Sequence, residues 1–260
     1  GNSGITAAVY DPTNNKVIVA FTQNSGGWKG RAVVGTVNSS NNTISFGSPT
    51  TFESSGTARY PSAVYDSAND KVVIAYQDDA NSMRGTAVVG AVSGNSISFG
   101  TPATFTSNIT YQLKATYDST NERVVIAYRD GTTSNYGKAV VGTVSGTNIS
   151  FGSSTTFESS DIYYPSITFD SSNNKVVVVY HDYGNSNALT AIVGTVNSSN
   201  NTISFGGHEI VATTSSYHIT STTFDSYNGK VVIAYRDSEN SWYGTAVVGT
   251  VSGTDISFGT

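Results

Sequence analysis

Trp28, Trp242, Tyr60 and Tyr136 stand in short stretches otherwise built from Asp, Asn, Ser, Gly and Arg, with Asp78, Asp130, Asp182, Asp237 and Arg84 close to them or in matching positions of the chain. Flat aromatic rings stack on the C–H face of a sugar ring, while planar carboxylate, amide and guanidinium groups satisfy neighbouring hydroxyls in pairs. These nine residues are therefore the expected ligand-binding set, and glycans or glycoconjugates the expected partners.

Other chemistries fit less well. Cleaving a glycosidic bond needs two carboxyl groups in unlike roles, which should break any internal repetition. Of the 18 acidic residues, five sit in one repeated turn and four end a repeated strand; Asp79, Glu122, Asp161, Glu209 and Glu239 are scattered with no convergent set. No catalytic residue, and hence no enzyme, is expected. The Asp-x-x-Asn turns lack the dense oxygen spacing of a calcium loop, and His181, His208 and His218 show neither zinc-ligand spacing nor the setting of a catalytic triad. No metal and no cofactor are expected. The absence of cysteine removes disulfides and thiolate sites, and a net charge of −5 gives little attraction for nucleic acid or anionic lipid. No apolar run reaches the roughly 18 residues of a membrane span, so membrane insertion is not expected.

The elements that must position these residues follow from an internal repeat. A pattern returns roughly every 52 to 55 residues, opening on Tyr10-Asp11, Tyr65-Asp66, Tyr117-Asp118, Phe169-Asp170 and Phe224-Asp225 and closing near Phe46, Phe99, Phe151, Phe205 and Phe258. The stretch from Gly35 to Gly47 recurs letter for letter from Gly194 to Gly206. Within the second copy, β-rich runs at 62–65, 71–78, 85–92 and 96–105 alternate with turn clusters, which predicts strands A, B, C and D. Asp and Asn in the A–B turns, and Gly or Asn in the C–D turns, are hairpin signals. Runs such as Val72-Val73-Ile74-Ala75-Tyr76 are apolar at consecutive positions, as befits a strand covered on both faces.

Four antiparallel strands repeated without linkers predict an all-β fold: a five-bladed β-propeller of four-stranded blades, one domain over 1–260, with blades near 1–55, 56–107, 108–159, 160–214 and 215–260. The A–B and C–D turns then lie on one face. The diverse B–C loops and the D-to-A crossings, with Arg59, Tyr60, Tyr111, Tyr163, Tyr164, Tyr217 and His218, share the other. Repeated shallow sites on that rim would bind a repetitive glycan with avidity.

The Val-Val-Ile-Ala-Tyr and Gly-Thr-Ala-Val-Val-Gly blocks, in five units, resemble the five-bladed β-propeller lectins of the tachylectin-like kind. The repeat text is also similar to tandem domains of surface or tail-fibre-like proteins of marine bacteria and their phages. Both resemblances imply binding of exterior carbohydrate and an extracellular or surface-exposed location; neither transfers a specific residue. The fifth copy stops at Thr260, short of the second half of strand D. That leaves open a part in a larger chain or assembly, and with it the alternative of a structural or protein-interaction module.

Overall fold

The computed structural model describes residues 3–24, 28–213 and 220–259, with side chains described from residue 6 onward. It is all-β and antiparallel. The first copy holds β1 (Ser3–Asp11), β2 (Lys16–Asn24), β3 (Trp28–Asn38), β4 (Thr43–Phe46) and β5 (Thr50–Glu53); the second holds β6 (Ala58–Asp66), β7 (Lys71–Asp78), β8 (Arg84–Ser93), β9 (Ser96–Phe99) and β10 (Ala103–Asp118). β10 runs on into the third copy, followed by β11 (Arg123–Asp130), β12 (Tyr136–Ser145), β13 (Asn148–Phe151) and β14 (Thr155–Glu158). The fourth holds β15 (Ile162–Asp170), β16 (Lys175–Asp182), β17 (Ala188–Asn197) and β18 (Thr202–Ala212), and the fifth β19 (Ser221–Asp225), β20 (Lys230–Asp237), β21 (Tyr243–Ser252) and β22 (Asp255–Phe258).

Hydrogen-bonded neighbours follow chain order in β1-β2-β3-β4 and β15-β16-β17-β18, while the second half of a broken strand D returns to strand C, β5 pairing with β3, β10 with β8 and β14 with β12. The chain forms two compact units, one of Gly1–Thr110 with Thr143–Ser150 and one of Tyr111–Gly142 with Phe151–Thr260.

The turns form for the reasons their residues give. In the second copy Asp66 Oδ1 accepts from the backbone N–H groups of Ala68 and Asn69 at 3.0 and 3.1 Å, and Asn69 Nδ2 donates back to Asp66 Oδ2 at 2.8 Å. The same Asp-x-x-Asn clasp recurs at Asp11, Asp118, Asp170 and Asp225. The B–C loops of the second to fifth copies differ in side chains but share one backbone device: two consecutive left-handed residues at Ser82 and Met83, Ser134 and Asn135, Ser186 and Asn187, and Ser241 and Trp242.

Three boundaries differ from the sequence expectation. Strand D of the second copy is broken between Phe99 and Ala103, because Gly100 turns to donate to the Val89 carbonyl at 2.9 Å and Pro102 has no N–H for a ladder. In the fourth copy strand D runs unbroken as β18. Strand A begins at Ala58 rather than near Ser62, with its register shifting between Arg59 and Ser62 around Tyr60, whose φ is +51°. The blade boundary expected at 107/108 falls inside β10.

In the first unit, Ile18, Ala20, Ala32, Val34 and Phe52 of the first copy pack on Val72, Ile74, Tyr76, Val88 and Ile97 of the second. In the second unit, β16 is buried on both faces: Val176, Val178 and Tyr180 meet the third copy, and Val177 and Val179 meet the fifth. The aromatic joints match, with Phe52 centred 5.2 Å from Tyr76 and Phe157 5.2 Å from Tyr180.

Candidate functional site

Stacking of successive sheets brings the tail of strand D of one copy against the end of strand B of the next. In the first unit this joins Glu53, at the end of β5, to Tyr76 and Asp78, at the end of β7. Glu53 Oε1 accepts from the N–H groups of Ser55 and Gly56 at 2.6 and 3.2 Å, while Oε2 faces the Tyr76 hydroxyl at 3.5 Å. Asp78 Oδ1 accepts from the N–H groups of Ala80 and Asn81 at 3.0 and 3.2 Å, capping a short 3-10 turn. Between them opens a cavity of about 360 Å³, lined by Glu53, Ser55, Asp78, Asn81, Thr86 and Thr104 among others. The Thr86 hydroxyl is buried there without a hydrogen-bond partner among the described residues. Burial first, and the Glu53 charge second, push the Asp78 carboxyl above the usual carboxylate range. Burial and the same carboxylate push the Tyr76 hydroxyl well above the ordinary phenol range, so it remains an O–H donor.

The second unit repeats this arrangement with additions. Glu158, at the end of β14, accepts at Oε1 from the Ser160 N–H at 2.9 Å and from its hydroxyl at 3.0 Å; that hydroxyl also lies 2.7 Å from Asp182 Oδ1. Glu158 Oε2 lies 3.2 Å from the Tyr180 hydroxyl and 3.1 Å from His208 Nδ1. Glu158, Asp182 and His208 offer ligand atoms that all lie within 4.8 Å of one another.

The expected site residues fall into separate groups. Asp78, Asp130, Asp182 and Asp237 each accept from backbone N–H groups of the loop that follows, so all four are caps. Asp130 is fully buried and ion-paired to Lys138 at 2.7 Å. Arg84 donates to the Ser107 carbonyl at 3.2 Å and approaches Oδ1 of Asn81, a lining residue of the cavity, at 3.5 Å. Trp28 and Trp242 are exposed, and Tyr60 and Tyr136 half-buried. The Arg236 guanidinium lies 4.7 Å above the Trp242 ring. Tyr217 and His218 lie outside the described residues. His181 is buried, with Nε2 3.1 Å from the Thr220 hydroxyl.

The expectation that the acidic residues form no convergent set is corrected. Asp79 and Asp161 are held by Arg59 and Arg129, but Glu53 meets Asp78, and Glu158 meets Asp182 and His208. The signal was Thr-Phe-Glu-Ser-Ser, which ends strand D in the first and third copies alone, at 51–55 and 156–160.

No family model and no curated protein matches the chain. Among solved structures, it is similar to the BP39L lectin of Burkholderia pseudomallei (TM-score 0.67, 12% identity, covering 96% of this chain and 68% of that one). It is similar also to a protein of unknown function from Dyadobacter fermentans (0.64, 12%, 95% and 78%) and to a NanB sialidase variant from Streptococcus pneumoniae (0.59, 9%, 91% and 53%). At these identities the likeness is one of fold. The neighbours include a lectin and a carbohydrate-active enzyme.

Proposed function

We propose that the five copies are the blades of a β-propeller that binds carbohydrate without chemical change, outside the cell or on its surface, in pockets where strand D of one blade meets strand B of the next. The observation that carries this reading is the cavity between Glu53 and Asp78, whose volume lies within the roughly 300 to 1,000 Å³ of small-ligand pockets. Its polar groups suit a polyol. The carboxylate oxygens not used in capping accept from hydroxyls, and the Thr86 hydroxyl can donate. Arg84 reaches Asn81 of the pocket lining, and Trp28, Tyr60, Tyr136 and Trp242 supply stacking surface on the loops. Asp182 is the counterpart of Asp78 in the second unit, while Asp130 and Asp237 serve their turns. Two carboxylates at one pocket repel anions, so the ligand class is neutral sugar rather than sialic or uronic acid.

The test is a calorimetric titration of the whole chain with a neutral monosaccharide that competes for glycan binding. Asp78→Asn keeps the capping oxygen and removes the charge and one acceptor. Affinity should fall roughly 10- to 100-fold, the worth of a hydrogen bond to a charged group. Trp28→Ala and Trp242→Ala should each weaken binding several-fold. Unchanged affinity in Asp78→Asn would remove the pocket from the reading, and unchanged affinity in both tryptophan variants would remove the stacking residues.

A further inference from the structure

We infer that Glu158, Asp182 and His208 form a binding site for one divalent transition-metal ion of the zinc type. Three strands supply it: β14 ends at Glu158, β16 ends at Asp182, and β18 carries His208 opposite Ile192 of β17. The donor atoms lie within 4.8 Å of one another, and the 3.1 Å between Glu158 Oε2 and His208 Nδ1 is close to the ligand-to-ligand edge of about 3.3 Å in a tetrahedron with bonds near 2.0 Å.

The charges around the site call for a cation. Glu158 and Asp182 are 9% and 6% exposed, and a single Ser160 hydroxyl, with one proton to give, lies within hydrogen-bond reach of both carboxylates. In the third copy Lys138 neutralises the corresponding Asp130; in the fourth the corresponding residue is Thr190, and a second carboxylate is present. Two neighbouring carboxylates and one imidazole match a dication with mixed oxygen and nitrogen preference. They are too few for calcium, which takes six to eight oxygens. With its side chain 42% exposed, His208 keeps the site open to a fourth ligand from solvent. The first unit supplies an internal control, since Glu53 and Asp78 repeat the carboxylate pair but Pro102 occupies the position that matches His208.

The experiment is zinc and cobalt titration of the chelator-treated whole chain, followed by calorimetry and by the visible bands of tetrahedral cobalt. The expected result is one ion per chain. His208→Ala, on an exposed edge strand where loss of folding is not expected, should weaken binding at least tenfold, since even outer-shell partners of a metal are worth about 10- to 100-fold. Pro102→His should raise the stoichiometry from one ion to two. Absence of a stoichiometric ion in the folded wild type, or binding and cobalt bands that survive His208→Ala, would overturn the proposal. In that case the His208 contact with Glu158 is an ordinary ion pair. A sugar titration in chelator reports separately on the pocket of the first unit.

Discussion

At the scale of single residues, the molecule is governed by what balances a strand-B aspartate. Asp130 is fully buried, and Lys138 balances it at 2.7 Å. Replacing Lys138 by Met leaves a buried charge uncompensated, which costs about 3 to 5 kcal/mol. The midpoint of urea unfolding should fall accordingly, and adding Asp130→Asn should recover most of the loss. Asp78 has no such cation among the described residues and instead faces Glu53. A carboxyl raised by folding favours the native state below its unfolded pKa of about 4, and that contribution is lost as pH rises through the raised folded value. Glu53→Gln removes the like charge, so the fall in stability between pH 4 and 7 should be smaller than in the wild type. Equal falls in the two proteins would show that Glu53 does not act on Asp78.

At the scale of elements, the sheets are joined turn to strand. A Cβ added at Gly152 would sit 2.0 Å from the Asn201 carbonyl oxygen in the C–D turn of the next copy, and Gly47 and Gly100 meet the following turn in the same way. Gly152→Ala should therefore destabilise by about 1 to 3 kcal/mol, the range of overpacking. The corresponding Gly259, whose nearest atom is at 3.9 Å, should accept Ala with little change. Equal effects of the two in thermal unfolding would deny the joint its role. Arg123 reinforces it, donating to Asn201 Oδ1 at 2.8 Å and to the Ser198 carbonyl at 2.9 Å. Much of this level could be read in the sequence. The Asp-x-x-Asn turns, the hairpin glycines and the doubly covered strand B are local, and each is written in residues a few positions apart. The carboxylate pairs are not local: Glu53 and Asp78 lie in different copies and meet only because sheets stack. His208 was equally hidden, since its partners come from other strands, and zinc spacing along the chain does not describe such a site.

At the scale of the whole molecule, the repeat was legible from composition and period, but the functional positions break it. Alternate joints carry a Glu–Asp pair, while the third copy carries Asp130 with Lys138. The copies therefore carry unlike sites rather than five equal ones: the acidic pair of the first unit lines a cavity, and that of the second unit is joined by His208. The most direct measurement is a glycan array probed with the folded whole chain, with neutral and sialylated glycans side by side and free monosaccharide as competitor. The expected result is binding to a defined neutral glycan class, abolished by the matching free sugar and absent from sialylated glycans. A blank array, or binding confined to the sialylated set, would contradict it.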